Sequence, residues 1–209
     1  MDRIPGPGQF ARYIYGIRAF IGIVVALFLL SAAAGYMVPA ASPEASSTLL
    51  SGLQDKAESL SGQSPPMMML GIFANNVTGS LMALLFGLVA GLFPVFFVVS
   101  NGLVIGIMLE MVVEKLGTAS GAAVFAAGIL PHGVLELPAV LISTAIGLNL
   151  GYRALRSLLK GDGGVAAGLK DGLLIFLFWI VPMLFLAAFI ETFVTGAILA
   201  YFIQAPLFK

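Results

Sequence analysis

The sequence predicts an all-α integral membrane protein with about five transmembrane helices and an interrupted, re-entrant segment near residues 118–136. Three observations carry that prediction. Of 209 residues, 60% are hydrophobic and only 10% charged, against about 25% charged in soluble domains. Mean hydropathy is +1.07, and a soluble fold of this size lacks the interior to hide so much apolar surface. Twenty-five Gly and eleven Pro point the same way, because both are commoner in transmembrane helices than in soluble ones.

The same composition excludes several functions. Ten Lys and Arg balance ten Asp and Glu, and no basic block is present to track a nucleic-acid backbone, so nucleic acid is not a partner. The chain has no cysteine, which removes disulfides, thiolate zinc sites and Cys nucleophiles together. No polar stretch is long enough for a separate catalytic domain. Residues 1–209 therefore read as a single transmembrane domain embedded in membrane lipids.

Gaps between charges mark the spans. Residues 19–43 hold no charge, and the apolar part, 20–38, is long enough for one helix. Arg3, Arg12 and Arg18 before it resemble a signal-peptide n-region. The run exceeds a typical h-region and further spans follow, so a retained first helix is expected. Residues 39–66, rich in Pro, Ser, Gly and Gln, read as an extracytoplasmic loop with a short surface helix over 46–60.

Between Glu58 and Glu110 lie 51 uncharged residues, more than one span needs. A second helix is expected over 73–99, kinked late by Pro94. A break is expected at Ser100-Asn101-Gly102, since Asn and Gly tolerate the positive φ that ends a helix. A short third helix follows over 103–116, with Glu110, Glu114 and Lys115 reaching headgroups or water at its end. Residues 118–130 are too few to span and end in Pro131-His132-Gly133, so a half-helix is expected there, followed by a helix over 134–150. The last span, 173 to about 202, is interrupted by Pro182 and Glu191.

Orientation follows from basic residues. Five spans place Arg3, Arg12 and Arg18 on the same side as Arg153, Arg156, Lys160 and Lys170. Seven of the ten cations then face the cytoplasm, with the amino terminus inside and the carboxyl terminus outside a multi-pass cell-membrane protein.

Three ionisable residues fall within apolar segments, where such groups are costly and mark functional sites. They are His132, the single histidine of the chain, with Glu136 four residues on and Glu191 in the last span. One reading is a metal site of one imidazole and two carboxylates, a donor set that suits zinc. A second is a buried polar cluster that holds helices in register. A third is a proton relay. Asn75, Asn76 and Asn101 are amides suited to interhelical hydrogen bonds, or to a place beside His132. Gly102 and Gly106 form a Gly-x-x-x-Gly pair, as do Gly87 and Gly91, and Gly147 and Gly151. Such pairs let helix backbones approach closely, within one chain or in a homodimer.

Phe73-x-Asn75-Asn76, Asn101-Gly102-x-x-x-Gly106, Pro131-His132-Gly133-x-x-Glu136-Leu137 and Gly147 stand in this order. In these motifs, and over roughly residues 10–205, the chain resembles the stage II sporulation protein M family. The resemblance implies a polytopic membrane protein of about five spans. The family's namesake anchors two cell-wall-degrading partners in forespore engulfment, and relatives occur in organisms that make no spores, archaea included. What the resemblance implies here is a membrane scaffold, with cell-envelope protein partners.

Three functions from different classes follow. The first is a non-enzymatic scaffold that binds protein partners and itself, as a homodimer, with an intramembrane metal at His132, Glu136 and Glu191. The second is an intramembrane metal-dependent hydrolase using the same three residues, the metal activating a water. The third is a small channel or transporter, which broken helices and buried carboxylates favour and the lack of internal repeats opposes.

Overall fold

The computed structural model describes residues 4–42, 44, 47–48, 51–52, 62–89, 91–161 and 163–204. Among these residues the structure is helical, with no strand. Helix α1 (Pro7–Gly16) leads into α2 (Arg18–Ala41). Helix α3 (Pro65–Leu85) continues as a 3-10 turn, Phe86–Leu88, and is followed by α4 (Leu92–Leu116) and α5 (Thr118–Lys160). A final rod comprises α6 (Val165–Ile175), α7 (Val181–Ile190) and α8 (Gly196–Gln204), joined through π-helical turns at Phe176–Ile180 and Glu191–Thr195. Five of these rods are long and apolar enough to cross a bilayer: Arg18–Ala41, Pro65–Leu88, Leu92–Leu116, Thr118–Lys160 and Val165–Leu199. The chain is a multi-pass membrane protein, and these are spans 1 to 5.

The number of spans agrees with the charge gaps, but two boundaries do not. The break within the 51 uncharged residues lies at Gly91, not at Ser100-Asn101-Gly102. Gly91 has φ +72°, a left-handed conformation that a residue without Cβ adopts at little cost. Asn101 stays helical because its side chain bonds back to its own helix, Nδ2 donating to Phe97 O at 2.8 Å. Pro94 consequently falls in the first turn of α4, where a missing N–H breaks no helical bond.

The second correction concerns 118–136. Helix α5 runs unbroken for 43 residues, with Pro131 and Pro138 inside it, so the expected interruption at Pro131-His132-Gly133 is absent. Ending a helix within lipid would orphan four N–H and four C=O groups, each costing several kcal/mol where no water can reach them. A proline in a continuous helix forfeits one bond and costs about 3 kcal/mol. The continuous helix is the cheaper solution. At about 1.5 Å per residue it is roughly 65 Å long, more than twice the hydrocarbon thickness.

Span 4 touches each of the other spans. Its Ile146 and Leu150 are fully buried with Leu84 of span 2 and Ile175, Ile180 and Leu184 of span 5. Glycines set the spacing. A Cβ on Gly147 would fall on the Ala83 carbonyl, and one on Gly87 would fall on Gly147; one on Gly151 would strike the backbone of Gly91 and Gly87. Spans 1 and 3 are zipped likewise, Gly35 against Leu103, Gly102 against Phe28 and Ser31, and Gly106 against Ala32 and Tyr36. All three Gly-x-x-x-Gly pairs are thus used inside the chain. The surface helix expected over 46–60 lies, for most of its length, outside the described residues.

Charge spacing gave no sign of α1. Its apolar side, Phe10, Tyr13, Ile14 and Ile17, follows the i, i+3, i+4, i+7 rule of an amphipathic helix. It docks on span 5: Phe10 stacks on Trp179 at 4.5 Å, and Trp179 Nε1 donates to Pro5 O at 2.8 Å. Burial, and Asp171 nearby, hold the Tyr13 phenol above its usual pKa, with Arg153 opposing.

Close backbone approach between spans 2 and 4 makes a direct prediction. Gly147→Val forces them apart and should cost at least about 3 kcal/mol, read as a large loss of thermal stability in detergent. Gly22→Ala, whose new Cβ meets no neighbour within 4 Å among the described residues, should stay within about 0.5 kcal/mol of the parent.

Candidate functional site

A cavity of about 310 Å³ lies among spans 1, 3, 4 and 5, lined by Phe28, Asn101, Met108, His132, Gly133, Glu136 and Glu191 among others. Its polar wall comes from spans 4 and 5. His132 and Glu136 are separated by one helical turn, so an unbroken α5 presents both on one face. Gly133, buried between Ile129 and Leu137, adds no side chain to the lining and leaves the space open. One donor atom each from His132, Glu136 and Glu191 lie within 4.8 Å of one another. The three side chains are half-buried. They form a group fit to hold a metal ion.

Depth follows from packing. Gly151 of span 4 lies against the Gly91 turn, and Glu136 is fifteen residues earlier, about 22 Å along the helix axis. On a span that enters a core about 30 Å thick at that turn, Glu136 falls in the half farther from it, and His132, nineteen residues from Gly151 and about 28 Å away, near the far boundary. Two carboxylates facing each other there repel when both are ionised, and a cation or a shared proton between them removes the repulsion.

The π turn Glu191–Thr195 positions the span 5 contribution. A π turn inserts one residue and rotates the side chains around it, a device common at functional sites. Thr195 Oγ1 donates to Ile190 O at 3.3 Å and lies 3.3 Å from His132 Nδ1. In the tautomer that carries its proton on Nδ1, His132 donates to this hydroxyl, whose own proton goes to Ile190 O. The Nε2 lone pair is then left for a ligand, the arrangement that second-shell partners impose on metal-binding histidines. Thr195 is buried, and its role has no signature in a helical span dominated by Leu, Phe and Ala.

The amides divide. Asn76 of span 2 hydrogen-bonds Glu136. Glu136 Oε2 is buried with no hydrogen-bond partner among the described residues, so one carboxylate oxygen is held and the other is available. Asn101 lines the cavity while bonding to its own helix. Asn75 is exposed, its Nδ2 donating to Asn76 Oδ1 at 3.1 Å. Gly102 and Gly106 serve span packing. Pro131 sits beside the cluster without joining it.

The profile of the family described as Stage II sporulation protein M matches residues 24–196. The chain belongs to the stage II sporulation protein M family. The match runs from span 1 through the second π turn and so includes the whole His132 cluster and Thr195. No curated protein and no solved structure matches the chain significantly. In this member of the stage II sporulation protein M family, four spans line one largely apolar cavity into which His132, Glu136 and Glu191 are set.

The Thr195 contact is testable by a double-mutant cycle. Thr195→Val should cost about 1 kcal/mol of thermal stability, the scale of an interhelical hydrogen bond in lipid. In a His132→Ala background the cost should largely vanish. Equal costs in both backgrounds would show that Thr195 acts independently of the ring.

Proposed function

We propose that this chain is a non-enzymatic membrane scaffold that binds cell-envelope protein partners and a second copy of itself, with a zinc ion pinning spans 4 and 5 at His132, Glu136 and Glu191. The observation that carries the zinc reading is the meeting of one imidazole and two carboxylates, drawn from two spans, around a cavity inside the membrane. Two carboxylates and a neutral imidazole around a divalent cation sum to zero net charge, the least costly ionic state in hydrocarbon. Nitrogen and carboxylate oxygen donors suit zinc, with bonds of about 2.0–2.2 Å and room for water as a fourth ligand. Closing the donors around an ion takes side-chain movements on the order of 1 Å.

The scaffold reading rests on family membership and on how the chain is spent. Its described residues go almost wholly into spans, their turns and α1, with no separate catalytic domain among them. The basic residues support an amino terminus in the cytoplasm and a carboxyl terminus outside. Arg12 in α1, Arg18 at the start of span 1, Arg153, Arg156 and Lys160 at the end of span 4 and Lys170 near the start of span 5 fall on one side of a membrane that five alternating spans cross.

Elemental analysis of the full chain after size exclusion in mild detergent tests this reading. Close to one zinc per chain is expected, falling at least tenfold in His132→Ala, consistent with loss of one of three protein ligands. The zinc-loaded protein should not turn over lipid or peptide esters and amides. Absence of zinc from the parent would overturn the metal reading. Hydrolysis that requires Glu136 would overturn the scaffold reading.

A further inference from the structure

The far end of span 4 carries a second feature, remote from the cavity. The contacts of Gly151 with Gly91 and of Tyr152 with Phe20, ring centroids 5.7 Å apart, set Tyr152 level with the turn between spans 2 and 3 and the first turn of span 1. Helix α5 nevertheless continues to Lys160, about 12 Å further. That overhang traverses the headgroup layer, which adds roughly 5–7 Å to each side of the hydrocarbon core.

The overhang is not a uniformly polar surface. Tyr152, Leu155, Arg156, Leu159 and Lys160 line a groove of about 450 Å³, following the i, i+3, i+4, i+7, i+8 spacing of one helical face. Tyr152 and Leu155, 53% and 43% exposed, lie at its inner end, within about 5 Å of the level of the Gly91 turn, an unfavourable placement in water and an ordinary one against lipid. Arg153 turns to the opposite side, Nη1 donating to Gly164 O at 3.4 Å. Two cations therefore share the outer groove with a tyrosine and leucines, Arg156 about 6 Å beyond Tyr152, at the depth where lipid phosphates lie, and Lys160 one turn further out.

We propose that this groove is a binding site for an anionic phospholipid, its phosphate held by Arg156 and Lys160 and its acyl chain lying along Leu155, Tyr152 and Phe20. Charge complementarity selects the occupant: a cation near an anionic membrane surface contributes on the order of 1 kcal/mol, and a tyrosine at headgroup level is a usual interfacial anchor. Tyr152 and Leu155 select a lipid over a free anion, because a phosphate alone leaves them in water. The site stands independently of the scaffold and zinc readings.

Native mass spectrometry of the full chain, incubated in detergent with equal amounts of phosphatidylglycerol and phosphatidylcholine, tests the proposal. The parent should retain phosphatidylglycerol in roughly thirtyfold preference, as two such cations predict. The Arg156→Gln/Lys160→Gln variant should approach parity, Arg156→Lys should keep the preference, and Lys115→Gln at the opposite end should leave it unchanged. Millimolar inorganic phosphate should not displace the lipid. No preference in the parent would overturn the proposal, as would an undiminished preference in the double variant, an equal loss in Lys115→Gln, or displacement by phosphate. If the double variant elutes as aggregate, the parent's ratio and the single Lys160→Gln variant decide. A water-soluble protein held by the groove with no lipid preference would assign it to a protein partner instead.

Discussion

Hydrocarbon offers no hydrogen bonds, and the architecture follows from that deficit. Each peptide group within the bilayer has to be satisfied by the chain itself, at a penalty of several kcal/mol for every failure. This is why span 4 continues through Pro131 and Pro138 rather than breaking, and why Asn101 folds its amide back onto Phe97 O. It is also why His132, Glu136 and Glu191 face one another, with Asn76 and Thr195 supporting them, instead of facing lipid.

Continuity of span 4 has a chemical consequence. A half-helix ending at Pro131 would leave the relation of His132 to Glu136 to loop geometry. An unbroken helix fixes them one turn apart and aims both at span 5. The π turn at Glu191–Thr195 then supplies the opposing carboxylate together with the hydroxyl that orients the imidazole. Glycine contacts determine the distance between the walls: with spans 2 and 4 touching at Gly87 and Gly147, and spans 1 and 3 at Gly35 and Gly102, the cavity is bounded by rigid rods.

Much of this was legible in the residues, and the failures have physical causes. Charge gaps mark five spans because charges are excluded from hydrocarbon irrespective of tertiary structure. The intramembrane cost of ionisable groups singles out His132, Glu136 and Glu191, and the structure brings them together. Local turn chemistry misleads: Asn101-Gly102 and Pro131-His132-Gly133 look like breaks by the rules of soluble proteins, where water satisfies freed backbone groups. Gly91, the real break, sits in an apolar run with no polar residue beside it. Helix α1 escapes notice because it is short and precedes a longer apolar run that dominates the pattern. Thr195 and the two π turns depend on side-chain to backbone contacts that no spacing rule encodes.

The central claim is that the His132 cluster joins spans 4 and 5 through a metal and thereby stabilises the fold. Thermal unfolding of metal-stripped full chain, with and without added zinc, tests it most directly. Zinc at 100 times its dissociation constant should stabilise the parent by about 2.7 kcal/mol, seen as a clear rise in Tm, and should leave Glu191→Gln unmoved. An unchanged Tm in the parent, or an equal rise in the variant, would contradict the account.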